Sequence, residues 1–313
     1  MKKPDVICIG ISGVDVLIRG VDLEEPFETE TKLAKSIDLE LGGDAANEAV
    51  VLANLGVAVE LMSGIGNDSS GDFIRHTVAK SGVMTEAMMT IPNGAPSALN
   101  VIIIHPDGER SFINCGAPGA GWAPDPKYLK NTKIVSLASL GLPPFTDVQT
   151  CLKIAKEAKE SGKIVCADVV YTESLSLEMI TPALRYIDYI FPNEDEARRL
   201  TGFNDLDDIA GAFIKRGVGH VIVKTGKKGC FIKSKELRAV IPAYQCKNVV
   251  DTTGAGDNFL AGFICALLEG KPLIACCRYA CGVAAVSIQS RGASTGVKSR
   301  QQVENAICEM NQI

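Results

Sequence analysis

The chain has 313 residues, 46% hydrophobic and 22% charged, which suits one large α/β domain or two small ones. Its net charge is −5 and no basic run occurs, which argues against nucleic acid and against a membrane surface as partner. The 11 cysteines form no CxxC or CxxH pair, the three histidines lie far apart, and no apolar run reaches transmembrane length; a cytoplasmic protein with reduced thiols and no histidine zinc site is expected.

The N-terminus imitates a signal peptide, but its apolar run is short, holds Gly10 and Gly13, and lacks a cleavage site. Residues 5–11 read instead as a strand buried on both faces. Gly13 and Asp15 follow at its C-terminal end, where open α/β sheets place ligands. Alone, Asp15 reads equally as a turn residue. Residues 16–41 alternate in short polar and apolar pieces, which predicts a small, partly exposed sheet. Gly42-Gly43-Asp44-Ala45-Ala46-Asn47 then opens a helix ending near Gly56, with glycines that let a ligand approach the backbone. Val59–Ile65 reads as a strand, and 66–72 as a turn into a further helix.

Ser97–Ile104 and Arg110–Asn114 flank a His105-Pro106-Asp107-Gly108-Glu109 turn, the pattern of a hairpin. Asn100 lies on its first strand. From residue 132 the rhythm becomes strand, helix, strand: 134–140, 148–161, 164–168 and 189–191. Such alternation predicts parallel strands with crossover helices. Asn193 and Glu196 open the next helix, where acids are favoured by the helix dipole in any case. Strands at 221–223 and 230–232 enclose Lys224-Thr225-Gly226-Lys227-Lys228-Gly229, by itself an ordinary hairpin turn. No composition break divides the chain, so a single domain, 1–313, is expected, with lid segments 16–41 and 97–114 inserted in it.

The chemistry converges on residues 247–270. Asp251-Thr252-Thr253-Gly254-Ala255-Gly256-Asp257-Asn258-Phe259 runs from an extended segment into a helix whose apolar face is Leu260, Phe263, Ile264 and Leu267. Glycines and a helix N-terminus aim N–H groups at one spot, which suits a phosphate. A carboxylate at the same place can take a proton from an attacking hydroxyl. A buried, Ala- and Cys-rich helix follows over 274–286.

The 251–259 string resembles the C-terminal signature of the ribokinase-like (PfkB) family of sugar and nucleoside kinases. The 42–47 and 193–196 motifs resemble two others, and the likeness runs from Gly10 to about Gly292. The resemblance implies a three-layer α/β sandwich with a mostly parallel central sheet and a small β-sheet lid, often used for dimer formation. It implies phosphorylation of a hydroxymethyl group with ATP and Mg²⁺. Asp257 would be the base, with Gly254, Ala255 and Gly256 as anion hole. Gly13, Asp15, Gly42, Gly43, Asp44, Asn47 and Asn100 would face the acceptor. Asn193, Lys224, Thr225, Gly226, Lys227, Gly229, Gly256 and Cys281 would face the nucleotide, and Glu196 would position magnesium through water. Asp251, Thr253, Ser287, Ser290 and Gly292 are the matching positions for a monovalent cation such as K⁺.

Three positions depart from ribokinases proper, which have Asn at Gly13, Lys at Asp44 and an acid near the end of 136–141. All three lie on the acceptor side. The reaction is therefore expected to be kept and ribose not to be the acceptor, with a nucleoside kinase or a non-catalytic sensor as alternatives. No G-x-G-x-x-G follows the first strand, which disfavours a dinucleotide oxidoreductase.

Overall fold

The computed structural model describes residues 3–21, 31–105, 110–115, 121–246 and 248–310. Strand β1 (Val6–Ile9) leads into β2 (Gly13–Arg19) and β3 (Ser36–Gly42), then helix α1 (Asp44–Asn54). Next come β4 (Val59–Met62), β5 (Gly64–Ile65), α2 (Ser69–Lys80), β6 (Met89–Thr90), β7 (Ala98–Ile104) and β8 (Arg110–Cys115). The α/β rhythm follows as β9 (Ile134–Leu140), α3 (Val148–Glu160), β10 (Ile164–Val169), α4 (Leu177–Leu184), β11 (Tyr189–Phe191), α5 (Glu194–Thr201), α6 (Leu206–Lys215) and β12 (His220–Lys224). A hairpin of β13 (Cys230–Lys233) and β14 (Arg238–Ile241) precedes helices α7 (Ala255–Leu268), α8 (Leu273–Ser287) and α9 (Arg300–Glu309).

Eight strands form one sheet in the order β14-β13-β12-β11-β10-β9-β1-β4, parallel from β12 to β4 and antiparallel at the β13–β14 edge. Side chains alternate across it. Val6 and Cys8 join the core under α1, α7 and α8, while Ile7 and Ile9 join the core under α3, α4 and α6. This gives three layers, as the unbroken apolar strands require. From β1 the chain steps to β4 on one side and later to β9 on the other. That reversal is a topological switch point, where the loops after neighbouring strands part and leave a crevice.

A separate four-stranded sheet, β3-β2-β7-β8, is built from the alternating 16–41 segment, with β2 starting earlier at Gly13, and the 97–114 hairpin, the two segments expected as lid. Residues 22–30 of the first segment and turn positions 106–109 of the second lie outside the described residues. The pairing of Ile104 with Arg110 closes the β7–β8 hairpin as expected. The expected strand 59–65 is broken at Ser63: β5 leaves the large sheet to pair with β6. Gly64 there lies directly against the Trp122 indole, which leaves no room for a side chain. Strand β14 was not anticipated from the sequence, because its four residues alternate too briefly to stand out.

Candidate active site

The switch point gathers the first group of polar residues. Asp15 on β2 pairs in register with Asn100 on β7, and Asn100 Nδ2 donates to Asp15 Oδ1 at 2.8 Å. Gly42 must be glycine, since a Cβ there would sit 2.5 Å from Asp15 Oδ2. Gly43 has φ 92° and would meet the Ile11 carbonyl at 2.6 Å. The two glycines thus bring the start of α1 onto the end of β1. Gly13 lies against Ala98. Asp44 follows as the first residue of α1; burial, then the charge of Asp168, push its carboxyl up to about 6 against a hydrogen bond with Ser139.

Asn47, one turn further on, reaches across to α7: its Nδ2 donates to Asp257 Oδ2 at 2.9 Å. Asp257 is half-buried, and burial followed by the Asp44 charge holds its pKa well above the ordinary carboxylate range. It stands in the first turn of α7 behind the N-cap Gly254. Gly254 has φ 69°, and a Cβ would lie 2.6 Å from the Ala293 carbonyl. The first-turn N–H groups of a helix have no carbonyl one turn back to bond. Of the expected anion-hole donors, the Ala255 N–H bonds to the Thr252 carbonyl at 3.3 Å. Asn258 Nδ2 donates to the carbonyls of Gly254 (2.7 Å) and Ala293 (2.6 Å), which pins the loop from below.

Beside Gly256 lies an ion pair that sequence reasoning did not assemble. Lys224 Nζ donates to both oxygens of Asp168, at 2.6 and 2.7 Å. A Cβ on Gly256 would be 3.1 Å from that ammonium. Burial would lower the Lys224 pKa, but Asp168 and Glu196 outweigh it and the net shift is upward. Burial raises Asp168 despite Lys224. Asp168 stands near the end of a parallel strand at the ligand-facing edge of the sheet, and that position was the available clue.

Asn193 and Glu196 form a reciprocal capping box on α5, with bonds of 2.8 and 2.9 Å. The bland helix-start reading is therefore realised. Burial still pushes the Glu196 carboxyl to about 7 against the pull of Lys224.

A cavity of about 580 Å³ opens alongside, within the range of small-molecule sites. Asn193, Lys224, Gly226, Lys227, Gly229, Ala255, Gly256 and Cys281 line it. Its apolar wall includes Tyr244, Val249, Phe259 and Ile288, none of them anticipated. Thr225 and Asp257 are not part of the lining. The Thr225 N–H closes the 225–229 turn onto the Gly229 carbonyl at 2.9 Å.

Asp251 is saturated with donors. Its Oδ1 accepts from Thr253 N (2.9 Å), Thr253 Oγ1 (2.7 Å) and Arg110 Nη2 (2.5 Å), and its Oδ2 from Gly292 N (3.1 Å). Burial alone would raise its pKa, but these bonds, those of Thr253 first, bring it down to about 2. Ser287 Oγ donates to the Ala284 carbonyl, and the Ser290 N–H to the Ser287 carbonyl. Among the described residues, no group of three or more His, Cys, Asp or Glu is arranged to hold a metal, and no helix is long and apolar enough to cross a membrane. All eleven cysteines are free thiols.

A sequence model described as the pfkB family carbohydrate kinase matches residues 3–300. The ribokinase of Arabidopsis thaliana is 31% identical over 96% of this chain and 80% of its own. A nucleoside kinase of Methanothermobacter thermautotrophicus is 29% identical over 94% of this chain and 92% of its own. The structure of the Arabidopsis ribokinase complexed with ribose and ATP superposes with a TM-score of 0.84 at 29% identity, covering 98% of this chain and 99% of that one.

Proposed function

This chain belongs to the pfkB family of carbohydrate kinases, and on that footing we propose that its cleft transfers a phosphoryl group from ATP to a hydroxymethyl group of a small neutral sugar. At the coarser level it is a sugar or nucleoside kinase. One observation carries the finer reading. Gly256 lines the cavity, and the next residue, Asp257, accepts a hydrogen bond from Asn47 of the acceptor-side motif. Donor and acceptor sides therefore meet at adjacent residues.

Asp257 takes the proton of the attacking hydroxyl. Its raised pKa, from burial and Asp44, makes the carboxylate a stronger base than an exposed aspartate. The first-turn N–H groups at Gly256 and Asp257, with the α7 dipole, receive the charge of the transferring phosphoryl group, and Gly254 gives the loop its left-handed turn. The base sits in tight surroundings, as the purpose demands. The apolar wall of Tyr244, Val249, Phe259 and Ile288 receives the nucleotide base, and the Gly226–Gly229 turn its polar end.

Asp44, Asp168, Glu196 and Asp257 gather around the ammonium of Lys224; burial raises all four carboxyls, and charge repulsion adds to the rise at Asp44, Glu196 and Asp257. That excess of hard oxygen charge fits a magnesium ion brought in with the nucleotide. Glu196 and Asp168 would hold it through water, and it would neutralise phosphate charge.

Asp15, Asn100, Asp44 and Asn47 bind the acceptor hydroxyls. Asp15 and Asp44 repel an acceptor that already carries phosphate. A nucleoside is the second acceptor class, favoured by the Methanothermobacter thermautotrophicus relative. The four-stranded sheet serves as lid within a single cytoplasmic kinase domain. Ile37, Leu39 and Ile113 remain exposed on one face of it and support a homodimer formed through that face.

The test is ADP release over neutral sugars, keto-sugar acids and nucleosides, with Asp257→Asn beside the wild type. The variant should lose roughly two to four orders of magnitude in kcat, the range for a general base, with nucleotide affinity little changed. Wild-type turnover in that variant would remove the base assignment. A sugar phosphate outrunning every neutral acceptor would remove the acceptor reading.

A further inference from the structure

The loop before the anion hole holds a cation, and that cation is a side chain. Arg110 opens β8 of the four-stranded sheet and extends to the 251–253 loop. Its Nη2 donates to Asp251 Oδ1 at 2.5 Å, and its Nη1 donates to Thr253 Oγ1. The two acceptors sit two residues apart and receive the fork of one guanidinium, a geometry that a point cation does not reproduce. Glu40, from β3 of the same sheet, lies directly against Gly292, whose N–H bonds the other oxygen of Asp251. Burial raises the Glu40 carboxyl, and the Asp251 charge adds to the rise. The small sheet thus meets the loop with an arginine beside one face of Asp251 and an acid beside Gly292.

The side chains of Asp251, Thr253 and Ser287 are not free to ligate a monovalent metal here. Asp251 Oδ1 already accepts three bonds and Thr253 Oγ1 accepts from Arg110. Gly292 presents its N–H, and the Ser287 hydroxyl is turned to a helix carbonyl. We propose that the Arg110 guanidinium is the resident cation of this site, and that Arg110 is a positioning residue which locks the lid sheet to the anion-hole loop and makes the enzyme independent of potassium. The consequence for turnover rests on the kinase reading above; the consequence for stability does not. Thr253 immediately precedes Gly254, the N-cap of α7, so a fixed Asp251–Thr253 pair fixes the direction of the first-turn N–H groups.

The experiment compares wild type, Arg110→Ala and Arg110→Gln in potassium, sodium and tetramethylammonium chloride at one ionic strength. Thermal unfolding and ADP affinity are read alongside turnover. Wild-type melting temperature, affinity and rate should be the same in all three salts. Arg110→Ala should bind ADP and turn over about 10–100-fold less well in tetramethylammonium, the factor expected for a lost charge-assisted pair. Millimolar guanidinium, which reproduces the fork, should restore much of the loss and raise the variant's melting temperature, and potassium should restore little. Arg110→Gln keeps bulk and polarity without charge and should show the same salt response. Potassium activation of the wild type, or variants as active as wild type in tetramethylammonium, would overturn the proposal. If the wild type phosphorylates no acceptor at all, the kinase reading fails instead, while the melting and ADP measurements still decide the role of Arg110.

Discussion

Replacing Glu48 by glutamine should stabilise the protein, and by an amount that grows with pH. Glu48 lies on α1, 1% exposed, where its Oε2 accepts from Ser136 Oγ at 3.0 Å. Its Oε1 has no nitrogen or oxygen partner among the described residues, and the Cys8 thiol lies beside it. Burial, against the Ser136 bond, raises its pKa from the ordinary 4.5 to about 8. The folded state therefore keeps a proton that the unfolded chain loses near 4.5. Stability from the neutral form is complete below that value and is lost as pH rises through about 8. A displacement from 4.5 to about 8 corresponds to roughly 5 kcal/mol, at about 1.4 kcal/mol per pKa unit. Roughly 3–4 kcal/mol of that develops between about pH 5 and about pH 8. Glutamine has similar shape and no charge to bury, so it escapes the penalty. At about 2 °C per kcal/mol for a chain of this size, the gap in melting temperature should widen by roughly 6–8 °C across that interval. Parallel thermal scans of the two proteins in matched buffers measure it, and titrations common to both cancel in the difference. A gap that stays constant with pH would refute a neutral, buried Glu48.

Lys224→Met should weaken binding of a non-hydrolysable ATP analogue by about tenfold or more while ADP affinity changes little, because its ammonium lies beside Gly256 where the transferring phosphoryl group would rest. Equal losses for both nucleotides in calorimetric titrations would assign the lysine to the shared phosphates instead. Placing aspartate at Leu39 or Ile113, both 59% exposed on the same face of the small sheet, should shift sedimentation from dimer to monomer and leave the melting temperature of the core nearly unchanged. A wild type that sediments as a monomer at micromolar concentration would dispose of the dimer.

The layered fold was legible because its signals are local. Unbroken apolar strands such as 134–140 and helices stopped at Gly162 or Gly202 announce parallel strands and crossovers. The glycines at 42–43 and 254 were legible for the same reason: a left-handed turn or a close approach leaves few other choices. What escaped were pairings across the chain. Lys224 stood out in its turn, but Asp168 is 56 residues away and its strand looks simply apolar. Arg110 read as the end of a hairpin, and nothing near it in sequence names Asp251, 141 residues on. Glu48 carried no signal in the sequence; its burial follows from α1 lying over β9, where Ser136 donates to it. Beside the break at Ser63, Trp122 packs on Gly64 from a distant segment, a contact the local sequence does not announce.

The contact between Asn47 and Asp257 joins positions 210 residues apart. During synthesis, Asn47 and the rest of the proposed acceptor side leave the ribosome long before the helix that bears the proposed base. On the proposed assignment, a fragment that ends before α7 lacks the base, whatever sheet it has formed. If Asp257 is the base, enzyme activity regained after denaturation reports the final docking of α7 onto α1, and a time course of turnover set against one of helix content would separate that closing step from everything that precedes it.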